Sequence, residues 1–319
     1  MPSTLAVVAV VLLSAVSEPP PIEWSATPPD ESPAATALPP LHVSLRTGRD
    51  RYEVKLDSAT GQTTRRPVPA GAPIVIPLPG TDLSAELIRP SPIRRRDLYV
   101  VQHAADGSEM KRTLVCPLAE NPRDVAWHVG WHRLIYIRGV GESATLRSRD
   151  PRSEHEATMT VGGVVQEVRV GPNDQIAAVS LIGVHGEERR ADLTVFRGRA
   201  MRRIATGEDI GTLAWHPDGN RIVYSVPGEL RMVTVDDRTT ETVSLGDLDE
   251  ALSNHLASSI DIAADGTMAI IMRISGDRDS VGSEQYELPG DREVYLLRWP
   301  GELRSIRLEL EPTTVRWGR

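Results

Sequence analysis

The sequence predicts an all-β fold: a six-bladed β-propeller of four-stranded antiparallel blades, its ring closed by the C-terminal strand. Three observations predict it. A strand–turn–strand unit of unusual clarity lies at residues 213–236, degraded copies of it recur at a near-constant period, and the two ends of the β-rich region have complementary deficits.

The clearest unit reads Leu213-Ala214-Trp215-His216-Pro217-Asp218-Gly219-Asn220-Arg221-Ile222-Val223-Tyr224-Ser225. Proline fixes φ and withholds a ladder N–H, aspartate bonds back to its own backbone, and glycine permits positive φ. Pro217-Asp218-Gly219 therefore ends one strand and turns the chain into the next. Ile222, Tyr224 and Val226 alternate with Val223 and Ser225, the period of a strand. Leu230, Met232 and Thr234 begin a third strand, and the polar tip Asp236-Asp237-Arg238-Thr239 leads into a fourth from Glu241 to Leu245. Four short strands in about 40 residues make one blade.

A blade buries its faces only against neighbours, so copies are required. Trp127, Val170, Trp215 and Ile262 occupy equivalent positions, at steps of 43, 45 and 47 residues. The outer hairpin recurs at Tyr52, Leu98, Thr145, Leu193, Leu230 and Val294, which counts six blades. The first blade lacks an innermost strand, because Leu41 arrives too late to supply one. Thr314-Val315-Arg316-Trp317 reads as an innermost strand with no outer strands after it. Joining the two closes the ring without open sheet edges. The last full blade carries an insertion, Gly276 to Arg292, between its second and third strands.

The 319 residues divide into a signal-peptide-like segment at 1–17, a Pro-rich linker at 18–40 and the propeller at 41–319. Leu5 to Val16 is apolar and small, too short for a membrane-spanning helix yet the length of a signal-peptide core. Met1-Pro2-Ser3-Thr4 lacks the usual basic residue. The linker, with Pro19-Pro20-Pro21, Pro28-Pro29, Pro33 and Pro39-Pro40, buries too little apolar surface to fold and is expected as an extended stalk. These features predict an extracytoplasmic, monomeric protein with no membrane span. A net charge of −8 and the absence of a basic face exclude a nucleic-acid footprint. The lone cysteine, Cys116, excludes an internal disulfide and a cysteine metal cluster, and reads as a small buried hydrophobe.

On the Trp-His-Pro-Asp-Gly turn at 215–219 and its partial copies at Gly171-Pro172-Asn173-Asp174 and Ala264-Asp265-Gly266, the chain resembles the TolB-like, WD-repeat-like propellers. The resemblance implies a periplasmic or extracellular six-bladed propeller that binds a partner, often a protein, at its channel mouth. TolB-type chains carry a further domain before the propeller, where this chain has a Pro-rich linker. The hydrolase domain of propeller peptidases, with its G-x-S-x-G elbow, is absent from this sequence.

Within the fold so predicted, the residue before each inner-strand anchor should approach the channel: Ala126, Arg169, Ala214, Asp261 and Arg316. Asp261 and Arg316 fall on neighbouring blades, where they would form an ion pair across the closure. Arg169 and Arg316 would alternatively offer charge to an anionic ligand. Asp277 and Asp279, in the insertion, form an acidic loop whose spacing and internal Arg278 do not match a Ca²⁺ site, and which is a candidate partner contact. His128 and His132 lack a third ligand, and His216 and Asp218 read as turn residues. No catalytic, metal or cofactor residues are expected. The function expected is a non-enzymatic scaffold binding a protein or small ligand. The alternative is a lactonase or lyase with its site at the channel mouth, against which stands Asp261 as the one acid in the inner-strand segments.

Overall fold

The computed structural model describes residues 38–47, 50–57, 62–69, 72–88, 96–185, 188–198, 200–274, 293–308 and 311–317. These form six antiparallel sheets of four strands. From the axis outward, blade one is Glu311–Trp317, Leu41–Thr47, Asp50–Leu56 and Thr63–Val68, and blade two is Ile74–Pro77, Leu83–Ile88, Asp97–His103 and Glu109–Cys116. Blade three is Arg123–His128, Arg133–Arg138, Thr145–Arg149 and Glu156–Met159, and blade four Val164–Val170, Ile176–His185, Glu188–Arg197 and Ala200–Glu208. Blade five is Leu213–Trp215, Arg221–Val226, Glu229–Thr234 and Thr240–Ser244. Blade six is His255–Ile262, Met268–Ile274, Glu293–Arg298 and Glu302–Arg307.

The ring closes as the sequence predicts. Glu311–Trp317 pairs antiparallel with Leu41–Thr47, bringing Arg316 opposite His42 and Val315 opposite Val43. The insertion after Ile274, with Asp277 and Asp279, lies outside the described residues, as do residues 1–37.

The core sits between blades, because each sheet presents one apolar face to each neighbour. Val223, Leu230 and Met232 of blade five pack on Ile260, Ile270 and Tyr295 of blade six. Leu193 and Val195 of blade four meet Ile222 and Tyr224 of blade five, and Leu98 and Val100 of blade two meet Leu134 and Tyr136 of blade three. Val43 and Val54 of blade one meet Ile271 and Val294 of blade six, with Val315 of the closing strand buried among them. Cys116 is buried as the sequence predicts. Its thiol faces Glu120 Oε2 at 3.4 Å.

The turns between first and second strands of blades three, four and five are stitched to one another at one end of the ring. Asp174 of blade four accepts from Val129 N at 3.1 Å and Gly130 N at 2.7 Å of blade three. Asn173 and Gln175 donate to Asp218 O at 3.4 Å and Gly219 O at 3.0 Å of blade five. Trp215 lies against Gly171, where an added Cβ would stand 2.6 Å from an indole carbon, and donates Nε1–H to Arg169 O at 3.3 Å. Asp218 accepts from Asn220 N and Arg221 N at 2.8 and 3.1 Å, with Gly219 at φ +69°. His216 Nδ1 stands 3.0 Å from Asp218 Oδ2. The turn residues thus hold their own turn and the neighbouring blade, the structural role expected of them.

Candidate functional site

Inner strands line the channel, so the site is built from their alternation and its interruptions. Bulges shift the register between Arg123 and Ala126 in blade three, Val165 and Glu167 in blade four, and Ala257 and Ser259 in blade six. A bulge re-aims a side chain. Asp124 sits in the first of these with φ +49°, a left-handed conformation that aspartate tolerates. Arg123 crosses to blade four, where it donates to Val165 O at 2.9 Å and to Gln166 O.

Arg169 lies at the centre of the polar cluster. Its Nη2 is 2.7 Å from Glu167 Oε1, two residues away on the same strand face. Burial disfavours the guanidinium charge, but Glu167, Asp124 and Asp261 together raise its pKa above the ordinary arginine value. Asp261 belongs to blade six and Asp124 to blade three, so the cluster draws on both sides of blade four's strand. Glu167 also accepts from Thr212 Oγ1 of the blade-five entry at 2.9 Å. Burial, with Asp124 adding to it, pushes the Glu167 carboxyl above the usual carboxylate range, against the opposing pull of Arg169 and Thr212. The Arg169 side chain keeps 41% of its exposure and Glu167 12%.

Asp124 and Glu167 correct the expectation that Asp261 is the one inner-strand acid. The inner strands of blades three and four begin earlier than their anchors suggest, at Arg123 and Val164. Period-two alternation from Arg169 back to Glu167 carried the signal for Glu167. The bulge hides Asp124 from it. Arg316 lies exposed on the closing strand and Asp261 half-buried on blade six, the neighbouring blades expected for them. Both have interactions of their own.

His128 and His132 do not converge on a common ligand position. His128 is buried, stacked on Trp131 with ring centroids 4.1 Å apart at 11°, and its Nδ1 accepts from Trp131 N. His132 meets Trp127 edge-on at 6.1 Å. Among the described residues no group of three His, Cys, Asp or Glu is placed to hold a metal ion. Next to these rings a cavity of about 340 Å³ opens between blades two and three, lined by Thr81, Trp127, Trp131, Arg133, Asp150 and Arg152 among others.

Four-stranded antiparallel blades, six to the ring, define a six-bladed β-propeller. Its fold is similar to that of TolB from Acinetobacter baumannii, with a TM-score of 0.57 at 12% identity over 88% of this chain and 66% of that one. The chain therefore spans just under two thirds of TolB's length. A putative 6-phosphogluconolactonase from Bacteroides fragilis is similar at a TM-score of 0.53 and 10% identity, over 91% of this chain and 100% of that one. A protein of unknown function from Bacteroides caccae gives 0.51 and 9%, over 88% and 98%. At such identities the likeness is one of fold, and in fold the TolB-like reading of the sequence holds. No family model and no curated protein sequence matches the chain. No helix among the described residues is long and apolar enough to cross a membrane.

Proposed function

We infer that the chain is an exported, non-enzymatic binding propeller that takes a protein partner or ligand at its channel mouth, with Arg169, Asp261 and Arg316 as the charged groups nearest to it. The observation that carries this reading is the pairing of Arg169 with Glu167 at 2.7 Å. Glu167 is engaged a second time by Thr212, at 2.9 Å, so the charges of the wall stabilise one another and tie two blades together. Export rests on the apolar Leu5–Val16 run and the Pro-rich residues after it. The acidic pair Asp277 and Asp279 remains a candidate contact on the same partner.

Two measurements test this. Residues 1–40 fused to an alkaline phosphatase reporter should yield enzyme that is active outside the cytoplasm, and cytoplasmic retention would refute export. Capture from the exported proteome with the wild type and with Arg316→Glu should retain a partner on the first and lose it on the second.

One observation favours a second reading, a lactonase-type enzyme. A carboxyl raised by burial beside a fixed cation, as Glu167 stands beside Arg169, is an arrangement found at acid–base sites. Lactone hydrolysis by the purified chain, abolished in Glu167→Gln, would replace the scaffold reading with this one.

A further inference from the structure

We propose that the cavity between blades two and three is a binding site for an uncharged saccharide. The ring itself supplies the first argument. Between blades three and four, and between four and five, side chains of the inner turns cross to the next turn and fill the space: Asp174 in one case, Asn173 and Gln175 in the other. Between blades two and three no side chain joins one inner turn to the other among the described residues; Asp82 of blade two's inner turn instead reaches Arg152 on the outer turn of blade three, at 2.7 Å. Gly80, at the tip of blade two's inner turn, has φ +80° and open space around its Cβ position. Thr81 is held within its own turn, donating to Leu78 O at 2.7 Å and accepting from Leu83 N at 3.1 Å. Two indoles stand where the stitch would be.

The second argument is a missing partner. Trp215 of blade five donates its indole N–H to the preceding blade. Trp127 occupies the equivalent place in blade three and is 8% exposed, yet its Nε1 has no hydrogen-bond partner among the described residues. A buried donor without a partner is disfavoured, and this one lies just beneath the cavity wall, where a ligand hydroxyl reaches it once the lining shifts slightly.

The lining names the ligand class. Trp131 has one face covered by His128, so it meets the cavity with its other face or its edge. Arg133 is pre-organised: Nε donates to Ser148 Oγ at 2.7 Å and Nη2 to the carbonyls of Ser148 and His155, leaving Nη1 unpartnered among the described residues. Arg152 is held by Asp82 at 2.7 Å, and Asp150 Oδ1 accepts from Arg152 N. Arg152 is paired with Asp82, and Asp150 offsets Arg133 in charge count without contacting its guanidinium, so the site as a whole carries little net charge. An aromatic platform beside fixed donors and acceptors suits a sugar ring, whose C–H face packs on an indole and whose hydroxyls both donate and accept. The volume of about 340 Å³ is at the lower end of the range of about 300–1,000 Å³ for small-molecule sites.

The test titrates the full chain with cellotriose, maltotriose and chitotriose, and with trigalacturonate as an anionic control, reading tryptophan fluorescence and saturation-transfer NMR. The expected result is binding of a neutral trisaccharide with a Kd below about 1 mM. It should weaken at least tenfold in Trp131→Ala, survive in Trp131→Phe, and be unchanged in Arg316→Ala at the channel. If Trp131→Ala does not fold, Arg152→Ala should weaken binding at least threefold. No response to any neutral sugar at 10 mM overturns the proposal, as does binding of trigalacturonate alone or binding that ignores the Trp131 and Arg152 substitutions.

Discussion

Trp215 packs its indole against the backbone of Gly171, the first turn residue of the preceding blade, and donates its N–H to Arg169 O two residues upstream. The contact couples the best-formed turn of the chain to the strand that bears the channel cluster. Blade-to-blade cohesion therefore passes through a position where only hydrogen fits.

Replacing Gly171 by alanine places a Cβ 2.6 Å from the indole. The residue outside the left-handed region gains about 0.4–1 kcal/mol from lower unfolded-state entropy. Overpacking costs about 1–3 kcal/mol. The second term wins, so Gly171→Ala should lower Tm by several degrees, with a change in tryptophan fluorescence. An unchanged or raised Tm would show that Trp215 is free to move aside.

Asp174→Asn is the cleanest cut of the stitch between blades three and four. Asparagine tolerates the left-handed φ of +55° found there, so backbone strain does not confuse the outcome. Each carboxylate oxygen takes one N–H, from Val129 and Gly130. An amide accepts with one oxygen alone and leaves one N–H unpaired. The expected loss is about 1–2 kcal/mol in urea unfolding with an unchanged m-value.

Above pH 5 His128 and His216 give stability that rises with pH, against the raised carboxyl of Glu167, which contributes in the opposite direction. Burial lowers the pKa of both histidines below the ordinary value of 6.5, although Asp174 and Asp218 respectively pull the other way. Below pH 6.5 the unfolded chain then binds more protons at these sites than the folded one, and stability falls as pH falls from 6.5 towards the folded pKa values. The double variant His128→Asn/His216→Asn should show a Tm that rises less between pH 5 and 7, whatever its absolute value.

Cys116 should be silent in the native state. Burial first, and then the hydrogen bond to Glu120, push its thiol up to about 12. Iodoacetamide at pH 8 should leave the folded chain unlabelled over hours and label it fully in guanidinium. Labelling of the folded chain at the rate of a free thiol would mean that the blade edge around Glu120 opens.

The architecture was legible because a propeller writes its period into turn residues. Pro217-Asp218-Gly219 and the spacing of Trp127, Val170, Trp215 and Ile262 identified the inner strands, and Thr314 to Trp317 identified the closure. The channel cluster was half legible. Arg169 followed from alternation, whereas Asp124 reaches it through a bulge, which breaks the period that sequence reading depends on. The cavity between blades two and three was not legible at all. It arises from a side chain that is missing at Gly80, and from two blades whose distance no local pattern encodes.

The closing strand has a consequence for how the chain reaches this shape. Thr313 hydrogen-bonds Ser44 across 269 positions of sequence. Bringing such distant segments together costs roughly 5 kcal/mol of loop entropy beyond a constant, and the cost is recovered once the strands between them have formed. Blades two to six are each contiguous in sequence and can assemble during synthesis, but blade one waits for the last-made strand. Until then the chain is an open arc with an unpaired edge at Leu41–Thr47. Folding of this propeller is therefore gated by its own length: the arc can remain threadable and unsealed until residues 311–317 emerge, and the final hydrogen-bonded ladder acts as the latch.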